Sequence, residues 1–297
     1  MYLGIEIGGT KLQLGVGADD GTLVAVWRGT VNPTLGAEGI RQQILAALPA
    51  LPLRDVRGVG VGFGGPIDDS TYTVIKSHHI AGWDDFPLAD WISEMVGKPA
   101  VLGNDSDLAG LAEARHGAGK GYSPLFYMNI GTGIGGALLL DGKIYRGVGR
   151  GAAEVGHLVV SYAVVAALTL ESLASGPAIA REASEAFREP LTAQQVAERA
   201  LSGEPGYELC FDYATSYLAI ALCHVITLLC PRRIVIGGGV SLVGEELLFA
   251  PLRRKVAERC FAPFRGLTDI VPAALGQEVV VHGAIALAAQ TEKEDRQ

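Results

Sequence analysis

"YLGIEIGGTKLQLGVGADDGTLVAVWRGTV" (residues 2–31) is the stretch whose reading decides the fold. Three apolar runs are separated by turn signals at Gly8-Gly9 and Asp19-Asp20-Gly21, which predicts a three-stranded meander. The same plan returns in "SPLFYMNIGTGIGGALLLDGKIYRG" (123–147): strand, glycine-threonine turn, strand, Asp-Gly turn, strand. Thus "IGGTKLQLGV" (7–16) and "IGTGIGGALL" (130–139) open two halves built alike. Between them the spacing predicts a helix over 36–51, a buried strand in "VRGVGVGFGGP" (56–66) and a helix at about 87–96. A short strand "PAVLGN" (99–104) then runs into a helix opening at "DSDLAGLAEARHG". The last hundred residues read as mostly helical, interrupted by the buried strand and triple glycine of "RRIVIGGGVS" (232–241). No Ser/Pro tract reads as a linker.

The 297 residues suffice for one large or two medium domains, and 49% hydrophobic with 19% charged residues is a globular composition. A net charge of −8 without clustered Lys or Arg argues against nucleic acid as a main partner. The N-terminus has no basic leader, residues 158–170 are too short to span a membrane, and 214–230 contains His224 and ends at "CPRR". That run is expected to be a buried helix, with no membrane partner. Cys210, Cys223, Cys230 and Cys260 show no CxxC spacing and are expected to be reduced, buried thiols of a cytoplasmic protein.

A glycine-threonine turn exposes backbone N–H groups on a concave surface, and glycine lets that backbone approach phosphate oxygens. The first turn, Gly8-Gly9-Thr10-Lys11, adds a hydroxyl and a cation; the second is Gly131-Thr132-Gly133. With Gly237-Gly238-Gly239 after a buried strand, they fit two phosphate-binding hairpins and a glycine loop against an adenosine. Asn104 and Asp105 stand where a strand becomes a helix. They could be plain N-cap residues, or a general base for a hydroxyl nucleophile with an orienting amide beside it. Local sequence leaves both open.

The ordered set "EIGGTK", "FGGP", "AGWDDFPL", "GNDSDLAGLAE", "NIGTGIGGALLLDGKI", "AEVGH", "LESLASGPAI" and "IVIGGGVS" closely resembles the ROK family of sugar kinases, from about residue 2 to residue 290. The resemblance implies an α/β, two-domain actin-like ATPase (ribonuclease-H-like) fold. A small domain would cover 1–114 with a C-terminal helix, 283–297, packing back on it, and a large one 115–282. It implies ATP- and Mg²⁺-dependent phosphorylation of a hexose, glucose at its 6-hydroxyl first, and a homodimer; the alternatives are fructose, mannose or an N-acetylhexosamine as acceptor, polyphosphate as donor, or a weakly active sugar-binding or regulatory protein. Asp105 matches the family's catalytic base, Asn104 its sugar-orienting neighbour, and Gly65 a backbone contact to sugar. Glu154, His157 and Glu171 match the groups that hold the ring hydroxyls. Carboxylates and imidazole suit that task because each hydroxyl both donates and accepts. The resemblance also includes repressors, but their N-terminal helix-turn-helix is not expected where the first hairpin begins at residue 2.

Three departures stand out. Glu6 replaces the family's usual Asp, so it is expected to be an altered member of the Mg²⁺ shell. His79 occupies a position where the family often has Asn, and reads either as a sugar contact or as a plain loop histidine. Finally, many members carry a cysteine-rich zinc loop after "GH", whereas here Tyr162, Val164 and Thr169 fall where the cysteines would. Zinc is therefore not expected, since the family's cysteine-rich tetrahedral site needs a thiolate set and none stands here. The apolar "LVVSYAVVAAL" (158–168) is expected instead to pack as a short buried strand or helix that holds His157 by burial.

Overall fold

A computed structural model describes every residue except 78–79, 150, 164–165, 295 and 297. The chain divides into two compact units, the first comprising Met1–Gly121, Gly142–Ala152 and Ala274–Gln297, the second Tyr122–Asp141 and Ala153–Ala273.

The predicted meander is present in the first unit as β1 (Tyr2–Ile7), β2 (Lys11–Gly17) and β3 (Leu23–Thr30), joined antiparallel. Strands β4 (Val59–Phe63) and β7 (Ala100–Asn104) extend it in parallel, giving the order β3-β2-β1-β4-β7. Two-residue strands β5 (Ile67–Asp68) and β6 (Thr73–Val74) form a hairpin, and β10 (Lys143–Ile144) is equally short. Helices α1 (Gly36–Ala47), α2 (Leu88–Val96), α3 (Asp105–His116) and the C-terminal α9 (Val279–Glu294) complete this unit. Strands β1, β2 and β4 are buried almost throughout, which explains why they read as continuous apolar runs rather than alternating ones. Helix α9 lies backbone to backbone on its neighbours. A Cβ on Gly60 would stand 1.9 Å from the Ala284 carbonyl oxygen, and one on Gly283 1.9 Å from that of Leu108. Only glycine permits that approach.

In the second unit β8 (Leu125–Ile130) and β9 (Ile134–Leu140) are antiparallel, and β13 (Arg233–Gly237) and β14 (Asp269–Pro272) continue from β8 in parallel. The strand β14 was not expected from the sequence. A two-stranded hairpin, β11 (Val159–Ala163) with β12 (Ala166–Thr169), leads into α4 (Leu170–Ala174), α5 (Gly176–Phe187) and α6 (Ala193–Leu201). Helix α7 (Tyr207–Leu229) is the one described helix long and apolar enough to cross a membrane, but 61% of its apolar window is buried, so it is a core helix. Helix α8 (Ala250–Arg259) packs beside it. Buried Lys255 donates from Nζ to the Asp212 carboxylate (2.7 Å), Thr215 (2.9 Å) and Ser216 (2.9 Å). All four cysteines are free thiols; Cys210 and Cys260 are buried as expected, whereas Cys223 and Cys230 are only half-buried.

Candidate active site

In the first unit the site begins at the β7–α3 junction. Asn104 is the N-cap of α3, its Oδ1 accepting from the Ser106 (2.9 Å) and Asp107 (3.4 Å) amides. Its Nδ2 donates to the Gly65 carbonyl at 3.2 Å. One amide side chain therefore caps the helix and ties it to the loop after β4, so Asn104 and Gly65 are brought together. Asp105, the first helical residue, accepts from the Ser106 amide through Oδ1 at 2.7 Å. A Cβ on Gly64 would stand 3.2 Å from Asp105 Oδ2, so a bare glycine backbone flanks the candidate base. The capping interpretation and the catalytic one are compatible here, because the cap uses Asn104 and the positive end of the helix dipole favours Asp105 as an anion.

The Gly8–Lys11 turn closes with a Gly8 amide to Lys11 carbonyl hydrogen bond of 2.9 Å. Gly8 and Gly9 border a small cavity that Gly64, Ser77 and Trp83 also line, whereas Thr10 is exposed. Lys11 Nζ bridges Glu6 Oε1 (2.8 Å) and the Gln277 carbonyl (3.1 Å). Glu6 is 6% exposed, and its carboxyl is pushed up to about 7, chiefly by burial, with Lys11 opposing and Asp105 and Glu278 adding to the rise. Its second oxygen, Oε2, is buried without a hydrogen-bond partner. Gln13 stands directly opposite Glu6 across β1–β2, and its Oε1 is also buried and unpartnered. A buried carboxylate oxygen with spare lone pairs fits a hard, oxygen-seeking cation such as Mg²⁺. Mg²⁺ keeps most of its waters and needs few protein ligands.

Sequence reasoning missed Glu113, which is fully buried. Its Oε1 accepts from the Ala274 and Leu275 amides (both 2.9 Å) and its Oε2 from Ala118 (2.7 Å). This carboxylate fixes the loop that precedes α9, hence the Gln277 carbonyl that receives Lys11.

In the second unit, the Gly131–Gly133 turn closes with a Gly131 amide to Gly133 carbonyl bond of 2.8 Å. Glu171 reaches this turn: its Oε2 accepts from the Ile134 amide at 2.8 Å, and a Cβ on Gly133 would lie 2.6 Å from that oxygen. Thus Glu171 and the second turn are brought together. Glu154 and His157 bracket a single helical turn, Val155–His157, and both are exposed. The expectation that the following apolar stretch holds His157 by burial is corrected. Residues 158–163 and 166–168 are exposed or half-buried, with Tyr162 at 79%, and form an open hairpin. A two-stranded ribbon on its own has too little area to bury itself. His79 and Val164 lie outside the described residues. Among the described residues no group of three or more His, Cys, Asp or Glu could hold a metal ion.

A cavity of about 760 Å³ runs within this unit from Gly131 and Thr132 to Gly239 and Val240. Of the triple glycine only Gly239 lines it; a Cβ on Gly237 would meet Tyr127 Oη at 2.5 Å and one on Gly238 the Ile130 carbonyl at 2.4 Å. Those two are glycines for close packing, and Gly238 has φ +87° as well. The N-terminus of α5, at Gly176-Pro177, also lines the cavity, and one wall is the α6 face carrying Gln194, Ala197, Glu198 and Leu201. A helix N-terminus beside a glycine turn, next to apolar walls, can take an anionic group at one end and a flat ring at the other.

One sheet of order β3-β2-β1-β4-β7, and a second in which parallel β13 and β14 continue from the antiparallel β8–β9 pair, define the class: a two-domain α/β protein of the actin-like ATPase fold. The solved ROK hexokinase of Thermus thermophilus superposes with a TM-score of 0.83 at 30% identity, over 99% of both chains. The ROK glucokinase of Streptomyces griseus, solved with glucose and AMPPNP, gives 0.85 at 30% identity over 97% of this chain and 99% of that one. A glucokinase of Halalkalibacterium halodurans is 32% identical over 273 residues, 83% of this chain and 82% of its own. The family model described as "ROK family" matches residues 2–291, and the chain belongs to that family. These likenesses support a kinase acting on sugars.

Proposed function

We propose that the chain transfers the γ-phosphate of ATP to a hexose hydroxyl, with the glucose 6-hydroxyl as the leading acceptor, in the cytoplasm. The observation that carries this is the Asn104–Asp105 junction, where the cap bond to Ser106 and the tie to Gly65 fix a carboxylate at a helix N-terminus. Asp105 takes the proton from the attacking hydroxyl, and Asn104 with Gly65 orients the sugar. Glu154, His157 and Glu171 hold ring hydroxyls by paired donor and acceptor contacts. Gly8–Lys11 and Gly131–Gly133 receive phosphate oxygens on backbone N–H groups, with Gly237–Gly239 on the adenosine side, where Gly239 lines the cavity. Mg²⁺, when bound, neutralises the phosphate charge; Glu6 would hold its shell. Phosphoryl transfer then rests mainly on positioning and charge stabilisation.

The test is a coupled ADP-release assay over glucose, fructose, mannose and N-acetylhexosamines, with ATP or polyphosphate as donor, beside calorimetry with each sugar. Turnover with glucose and ATP is expected. Asp105→Ala should lose about 10²–10⁴-fold in kcat while retaining sugar affinity; full activity in that variant would refute the base. Sugar binding without turnover in the wild type would make this a sugar-binding protein instead.

A further inference from the structure

The 760 Å³ cavity carries one polar feature on an otherwise largely apolar wall. Gln194 and Glu198 stand one helical turn apart on α6, and Gln194 Nε2 donates to Glu198 Oε1 at 2.8 Å. Both side chains line the cavity. A glutamine amide alone is ambivalent, since a rotation about its last torsion exchanges acceptor and donor. A carboxylate beside it removes the ambivalence. The flipped amide would set its oxygen against Glu198, acceptor against acceptor, so the NH₂ end stays turned to the acid. What remains for a ligand is the Oε1 acceptor and one spare N–H, side by side.

That pattern complements an edge carrying an exocyclic amine next to a ring nitrogen acceptor, the pattern of adenine. On the Watson–Crick edge hypoxanthine and guanine present the reverse, a carbonyl oxygen beside an N–H, and on the N7 edge they present two acceptors. We infer that Gln194, locked by Glu198, selects adenine over 6-oxopurines in the phosphate donor, and that both are specificity-determining residues. The inference rests on the nucleotide-donor reading given above. It also sets a base-bearing donor above polyphosphate, which has nothing to place against this wall.

The test measures kcat/KM with ATP and ITP at saturating sugar for the wild type, Glu198→Gln and Gln194→Leu, together with calorimetry of ADP and IDP. Both side chains are exposed, so the variants are expected to fold. In Glu198→Gln the amide is free to flip, and the ATP:ITP ratio should fall about tenfold, mostly through gain with ITP. In Gln194→Leu the ratio should fall by loss with ATP, with the ADP:IDP affinity ratio following. Ratios unchanged in both variants, in turnover and in calorimetry, would overturn the inference while leaving ATP as donor. A wild type that turns over with polyphosphate and not with ATP would instead overturn the donor reading.

Discussion

Glu6→Gln gives the sharpest physical test of the first unit. The wild-type carboxyl lies at about 7 instead of 4.5, mainly because it is buried. Its proton is held more tightly in the folded than in the unfolded chain. Its contribution to stability is therefore fully present below about pH 4.5 and is lost as pH rises through 7. A displacement of that size, at ~1.4 kcal/mol per unit, is worth about 3 kcal/mol above pH 8 and about 1 kcal/mol at pH 5. Gln mimics the protonated form without the charge, so it escapes the loss. Chemical denaturation at pH 5, 6, 7 and 8 should find Glu6→Gln more stable than the wild type, with the gap widening by about 2 kcal/mol from pH 5 to pH 8. Adding Mg²⁺ with nucleotide at pH 8 should narrow the gap, because a cation favours ionised Glu6. A gap that stays constant with pH, or runs the other way, would refute the dominance of burial over the Lys11 pairing at Glu6.

Gly133→Ala should break the Glu171–Ile134 contact, given the 2.6 Å approach, and cost about 1–3 kcal/mol in a denaturation curve. Gly131→Ala, whose nearest neighbour would be Asn129 Nδ2 at 3.8 Å, should cost far less in the same measurement. Glu113→Gln replaces an acceptor facing three backbone amides with a donor on one side, and should destabilise by about 1–3 kcal/mol. Unchanged stability would count against the clamp. Dialysis against a strong chelator followed by Mg²⁺ alone should restore full activity; a requirement for added zinc would show that some other ligand set replaces the missing cysteines.

Much of the fold was legible because its strands are buried runs between turn residues of fixed chemistry: Gly8-Gly9, Asp19-Asp20-Gly21 and Gly131–Gly133 mark turns wherever they stand. Strand β14 was not, because four residues carrying Asp269 and Pro272 have no pattern of their own and are held by pairing with β13. Helix α7 starts at Tyr207, before the apolar run at 214, because its first turns are amphipathic rather than uniformly apolar. The hairpin at 159–169 misled in the opposite direction: composition records how apolar a segment is, but not whether anything covers it. In the candidate site the glycine turns and Asn104-Asp105 were visible as motifs. Gln194, Glu198 and Glu113 were not, because ordinary polar residues on a helix acquire a role only from what the fold sets against them.

The glycine seam beneath α9 has a consequence for synthesis. The sheet that needs this helix is complete by Asn104, yet the helix that covers it begins at Val279. On a ribosome the second unit, whose strands and helices are nearly contiguous in the chain, can be finished first. The β1–β7 sheet must wait, without the helix that packs on it, until residues 279–294 emerge. Nascent chains stalled before residue 279 should therefore be the aggregation-prone species, and their rescue by supplying the missing helix in trans would be read directly as solubility.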